Sequence, residues 1–177
     1  MNPVLRNRLI VAGTAGTLAI AAVLRDWYEG TGPTIKDKAG EVVYFIPYKD
    51  PVGIWTVCHG VTGPSVIPAK RYTAAECQVL DAEHLAKAEA AARRYIKNFD
   101  QFNQWQQAAL IDWFYNLGVN EKTINSTLRA KFNRGDIAGG CDELSRWVNG
   151  RVKGQLVALP GLVDRRGTTE ELCLDWK

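Results

Sequence analysis

The chain has 177 residues and a mass of 19.6 kDa, room for one ordinary domain and too little for two full ones. Apolar residues make up 46% and charged residues 23%, which excludes a disordered chain. The net charge of +3 is spread along the sequence, and this excludes a concentrated basic face of the kind that binds nucleic acid.

Arg6 and Arg8 precede a stretch without charge from Leu9 to Leu24, closed by Arg25 and Asp26. Five of those sixteen residues are Ala, and Gly13, Gly16, Thr14 and Thr17 dilute it further. As one helix it would reach about 24 Å, against a hydrocarbon core of about 30 Å. It reads as a short, weakly apolar anchor that is exported uncleaved and can leave the bilayer again. The arginines would keep its start cytoplasmic and send the rest outward. A cleaved signal peptide and a buried core helix are the alternatives. The expected organisation is therefore an N-terminal signal-anchor helix over residues 1–26 and one domain over residues 27–177.

After the anchor, Thr34-Ile35-Lys36 and Glu41 to Tyr48 flank Asp37-Lys38-Ala39-Gly40, a hairpin signal with Gly at the left-handed position. Ile54 to Val57 reads as another short strand. Thr73-Ala74-Ala75-Glu76 is a capping box that opens a helix to about Lys97. Gln104 to Leu117 predicts a second, very apolar helix stopped by Gly118. Shorter helices are expected over Ser126–Asn133, Asp136–Val148 and about Gly161–Leu174. The class is α+β, with a small antiparallel sheet lobe, a larger helical lobe and a cleft between them for an extended substrate. Trp113, Phe114 and Trp147 are assigned to the core.

The four cysteines, Cys58, Cys77, Cys141 and Cys173, are even in number and widely spaced. There is no CxxC pair, and only His59 and His84 could join a zinc site, so no structural metal is expected. Three disulfide connectivities are open. Local pairing, Cys58–Cys77 and Cys141–Cys173, closes the shortest loops, and four buried thiols are the alternative. Disulfides and the N-terminal segment both point outside the cytoplasm.

Hydrolysis of a glycosidic bond takes one carboxyl group that stays protonated and one that stays ionised. The first suits a Glu beside aromatic groups, and Glu29 follows Trp27 and Tyr28 and precedes Gly30. The second suits an Asp in a polar turn, and Asp50 sits in Tyr48-Lys49-Asp50-Pro51-Val52-Gly53, with Thr56 on the next strand. A helix-ending Glu and a turn Asp are equally at home as solvated surface groups.

Glu29-Gly30 followed by Tyr48 to Gly60 resembles the catalytic region of phage-type lysozymes, the endolysins of glycoside hydrolase family 24. Gln107 to Gly118, Asn125-Ser126-Thr127-Leu128, Asp142 to Trp147 and Gly161 to Arg166 resemble the rest of that family in order. With the weak N-terminal span, the chain is most similar to signal-anchor-release endolysins. The resemblance implies a lysozyme-like fold and a muramidase that cuts the β-1,4 bond between N-acetylmuramic acid and N-acetylglucosamine for host lysis. It implies Glu29 as general acid, Asp50 and Thr56 around the attacking water, and Tyr115 and Thr127 as substrate-binding residues. It further implies peptidoglycan strands as substrate, no cofactor, a monomer, and a single-pass inner-membrane protein that becomes soluble in the periplasm.

The family spacing places eight residues between Glu and Asp, whereas twenty separate Glu29 from Asp50. Glu41 does lie eight residues before Asp50 and is the alternative acid. Glu29 is preferred because a Glu-Gly pair at a helix end matches the family's local context, with a hairpin inserted after it. Val61 stands where the family often has His. A lytic transglycosylase, a tethered wall-binding module without catalysis and a zinc amidase are the competing readings.

Overall fold

A computed structural model describes residues 1–50, 53–152 and 154–176. Pro51, Val52, Lys153 and Lys177 lie outside the described residues. The chain forms two compact units, one of residues 25–86 and one that joins residues 1–24 to residues 87–177.

In the smaller unit, β1 (Thr34–Lys36) and β2 (Val42–Phe45) form the expected antiparallel hairpin. Its turn closes with Gly40 N–H on Asp37 O at 3.1 Å, and Gly40 has φ +86°. A second sheet runs β3 (Tyr48–Lys49), β4 (Trp55–Val57) and β5 (Val61–Thr62), all antiparallel. Phe45, Val57, Cys58, Val61, Val66, Tyr72 and Cys77 make the core beneath these strands. Helix α3 (Ala74–Tyr95) starts in this unit from the predicted capping box. Glu76 N–H donates to Thr73 Oγ1 at 3.3 Å and Thr73 N–H donates back to Glu76 Oε2 at 2.8 Å.

The larger unit is helical. Helix α4 (Gln104–Leu117) opens from an Asn103–Gln106 capping box and buries an unbroken run from Ala108 to Phe114. Helices α5 (Glu121–Ile124), α6 (Thr127–Asn133) and α7 (Ile137–Asp142) follow, and α8 (Pro160–Asp175) returns to pack on α4. Trp113 is fully buried, Phe114 nearly so and Trp147 half-buried, with the two tryptophans edge to face at 5.1 Å. The long helix expected over Asp136–Val148 does not form. Instead α7 ends at Asp142 and a 3-10 turn covers Glu143–Arg146. Glu143 is buried there, and Lys131 Nζ holds its carboxylate at 2.6 Å, which fixes the tighter turn. An unpredicted hairpin follows, with Asn149–Val152 paired to Gln155–Ala158.

The N-terminal segment is two helices. Their place is α1 (Pro3–Gly13) and, for the second, Thr17–Tyr28, here α2. The continuous helix expected over residues 9–24 is broken between them. Thr14 turns its hydroxyl back onto Val11 O at 2.7 Å, and Gly16 takes φ +98°, which ends one helix before the next begins. Leu5, Leu9, Ile20 and Leu24 are fully buried in the larger unit. Trp105 packs its ring edge into the notch at Gly13, where a Cβ would stand 2.6 Å from it. Thr17 Oγ1 donates to Gln107 Oε1 at 2.9 Å. Among the described residues, no helix is long and apolar enough to cross a membrane.

Candidate active site

Glu29 directly follows α2: its N–H still bonds Arg25 O at 2.8 Å, so the last helical turn fixes where its side chain starts. Gly30 and Gly32 follow, and the chain leaves for the hairpin. The Glu29 side chain is half-buried and rests against Gly60. A β-carbon on Gly60 would stand 3.2 Å from Oε2 of Glu29, and Gly60 has φ +81°. Both the space and the conformation therefore ask for glycine at position 60.

Asp50 closes the turn between β3 and β4. Its Oδ1 accepts from Ile54 N–H at 2.9 Å, and its own N–H donates to Ile54 O at 2.9 Å. Thr56 is buried on β4, opposite Tyr48 on β3 and Thr62 on β5. Its hydroxyl donates to Ile54 O at 3.1 Å, so the oxygen lone pairs remain to accept from a water. Trp55 is 37% exposed beside it, with Lys49 Nζ over its ring 5.6 Å from the centroid. Glu29, Asp50 and Thr56 all lie in the smaller unit.

Glu41 lies in the same unit but at the exposed end of the hairpin turn, its N–H bonded to Asp37 Oδ1 at 3.0 Å. Tyr115, half-buried on α4, and Thr127, exposed as the first residue of α6, belong to the larger unit. The disulfides are Cys58–Cys77 and Cys141–Cys173, each within one unit.

Sequence reasoning missed the support of this region. The loop Cys58-His59-Gly60 joins β4 to β5, with positive φ at both Cys58 and Gly60. Helix α3 holds it from one face through two residues a turn apart. Cys77 takes Cys58, and the Asp81 carboxylate takes His59 through Nδ1 at 2.6 Å and its backbone N–H at 3.3 Å. The hydrogen bond to Asp81 raises the His59 pKa above its ordinary value; burial opposes this, the charges of Asp81 and Asp26 add to it, and Arg25 subtracts. The signal was present in the sequence as an Asp four residues after a Cys on a predicted helix, but only the disulfide reveals its use.

The family profile for phage lysozyme matches residues 38–169, three quarters of the chain; it begins after Glu29 and includes Glu41. The chain belongs to the phage lysozyme family. Its curated relatives include the SAR-endolysin of Enterobacteria phage P21, 42% identical over 175 residues and 98% of each chain. The SAR-endolysin of Enterobacteria phage PA-2 is 41% identical over the same share. Among solved structures, an endolysin from Escherichia coli O157:H7 phage FAHEc1 is similar at TM-score 0.69 and 25% identity, covering 88% of this chain and 90% of that one. The muramidase domain of SpmX from Asticaccaulis excentricus shares the fold at TM-score 0.70 and 22% identity, covering 87% and 94%. This phage lysozyme is a muramidase-type glycoside hydrolase, a lysis enzyme that acts on peptidoglycan.

Proposed function

We propose that the enzyme hydrolyses the β-1,4 bond between N-acetylmuramic acid and N-acetylglucosamine, with Glu29 as general acid. Asp50 and Thr56 hold the attacking water on the opposite face of the sugar, and the product anomer is inverted. The observation that carries this reading is the contact of Glu29 with Gly60, four residues beyond Thr56, which ties the acid to the loop that leaves the strand bearing the water-holding hydroxyl. Glu41, exposed at a hairpin tip, has no such tie to β4 among the hydrogen bonds of that turn. The β1–β2 hairpin then accounts for the long spacing: it is an insertion between a Glu at a helix end and an Asp in the next turn. Tyr115 and Thr127 contribute to substrate binding in this reading.

The test is clearing of purified Gram-negative peptidoglycan by the parent and by Glu29→Gln, Glu41→Gln and Asp50→Asn, with the released ends identified by mass spectrometry. Loss in Glu29→Gln and Asp50→Asn alone, with reducing muramic acid ends, supports the assignment. A dead Glu41→Gln beside an active Glu29→Gln moves the acid to Glu41. Anhydro ends would make the enzyme a lytic transglycosylase.

We further propose that residues 1–26 serve first as an uncleaved anchor in the host inner membrane, N-terminus in the cytoplasm, and later as part of the soluble monomer in the periplasm. Three observations support it. Helix α1 buries Leu5 and Leu9 and leaves Val4, Ile10 and Val11 each more than half exposed beside the exposed Arg6 and Arg8, so large apolar side chains remain on its solvent side. The relatives carry the name SAR-endolysin. Cleavage near Ala22 would strip Leu5, Leu9 and Ile20 from a core they fill. In the bilayer, α1 and α2 would have to join across Thr14–Gly16, and Glu29 would be held within about a turn of the membrane surface. Membrane-embedded protein is expected to be inactive and detergent-free released protein active, and full activity in the embedded fraction rejects the switch.

A further inference from the structure

His59 sits between two carboxylates on two different helices. Its Nδ1 meets Asp81 on α3 at 2.6 Å, and its Nε2 faces Asp26 on α2 at 4.0 Å. Asp26 is one helical turn before Glu29, and Gly60, directly after His59, is the residue against which the Glu29 carboxyl rests. Asp81 is 2% exposed while Asp26 is half exposed, so the imidazole links a buried anchor to the rim. Arg25, paired with Asp26 at 2.6 Å, and the Phe45 ring on β2, centroids 6.2 Å apart, also face it.

We propose that His59 is a positioning residue for the reaction: bridging Asp81 and Asp26, it clamps the Cys58–Gly60 loop onto the end of α2 and so fixes the Glu29 carboxyl. The Asp81 end is a hydrogen bond at Nδ1 and the Asp26 end a charge attraction at 4.0 Å, so the bridge holds only while both ring nitrogens carry a proton. Loss of the ring proton from Nε2 turns attraction to Asp26 into repulsion between a lone pair and a carboxylate, and the end of α2 is no longer held to the loop. An acid displaced by a fraction of an ångström protonates its leaving oxygen more slowly without changing how the glycan is bound, so the effect falls on kcat. This inference rests on the assignment of Glu29 as the acid.

The experiment measures kcat, KM, the pH dependence of kcat and the melting temperature of the full chain for the parent, His59→Gln, Asp81→Asn, Asp26→Asn and Glu29→Gln. Soluble peptidoglycan fragments serve as substrate, well below the lowest melting point. With Glu29→Gln inactive, His59→Gln is expected to lower kcat about tenfold with KM within about twofold. The basic limb of its pH profile is also expected to shift. Asp26→Asn, which spares the buried pair, should lower kcat about threefold and keep the melting point, so the idea stays testable even if His59→Gln folds poorly. Unchanged kcat and an unchanged pH profile in both variants, whatever their melting points, give His59 no part in placing Glu29 and overturn the proposal. An active Glu29→Gln overturns the acid assignment instead, and the inference with it.

Discussion

Oε2 of Glu29 lies 3.2 Å from the place a β-carbon at Gly60 would take, so this carboxyl, the proposed acid, is seated on bare backbone. An alanine there meets two penalties. The backbone at φ +81° disfavours any L side chain by about 1–2 kcal/mol, and the new methyl pushes on the carboxyl. The Glu29 side chain can yield, so the fold survives while the proposed acid moves. Gly60→Ala is expected to keep a cooperative melt, lowered by several degrees, and to lose about a hundredfold in kcat. Circular dichroism melts and initial clearing rates check both halves.

The raised pKa of His59 makes stability depend on pH in a known direction. In the folded protein the proton is held more tightly than in the unfolded chain, so the stabilisation is complete below the unfolded value of about 6.5. It is lost as pH rises through the folded value. The gap in melting temperature between the parent and His59→Gln should be widest in mildly acidic buffer and close as pH climbs. A gap that widens on the basic side would contradict this assignment of charge.

In the larger unit, Asp112 is 1% exposed and is held by two arginines of α8. Arg165 reaches both of its oxygens, with Nη2 on Oδ1 at 2.8 Å, and Arg166 Nη1 meets Oδ2 at 3.2 Å. Arg166 also bonds Asn116, on the same face of α4 as Asp112. Asp112→Ala leaves buried guanidinium charge without its partner and is expected to cost about 3–5 kcal/mol. A denaturant midpoint within error of the parent would show that the arginines find other acceptors.

The disulfides should separate stability from catalysis. They close sequence separations of 19 and 32 residues, and loop entropy assigns each about 3–4 kcal/mol. The Cys141→Ser, Cys173→Ser pair should lower the melting point with kcat kept. The Cys58→Ser, Cys77→Ser pair should lower both, because Cys58 is one of the two points at which α3 holds the loop beneath Glu29.

Local features were legible in the sequence wherever one short stretch contains its own reason. The Thr73–Glu76 box, the Asp37–Gly40 turn and the apolar run of α4 were of this kind. The features that were not legible depend on remote partners. The Asp112–Arg165 pair spans 53 positions and His59–Asp81 spans 22, and neither spacing carries a periodic signal. The break at Gly16 was hidden because alanines and glycines suit a weak span and a tightly packed helix pair equally well. The hairpin after Trp147 was hidden because its strands hold Asn149, Gly150 and Ala158, residues that disfavour strands, with only Val152 and Val157 in favour, although Gly154, at φ +84°, marks the turn. At the candidate site, Glu29, Asp50 and Thr56 were readable as candidates, whereas the loop on which the Glu29 carboxyl rests was not.

The notch at Gly13, filled by the Trp105 ring, has a bearing on how such a chain can evolve. If residues 1–24 live first in lipid and then in protein, every substitution there is judged twice, by two environments with different tastes. Leucine at position 13 would suit the bilayer better than glycine and would evict the tryptophan afterwards. A charge at Val11, 70% exposed in the folded state, would be harmless in the finished enzyme and ruinous in the membrane. The weak apolarity of residues 9–24, where alanine, glycine and threonine interrupt the larger side chains, is then the mark of a compromise, and improving either of its two lives is expected to harm the other.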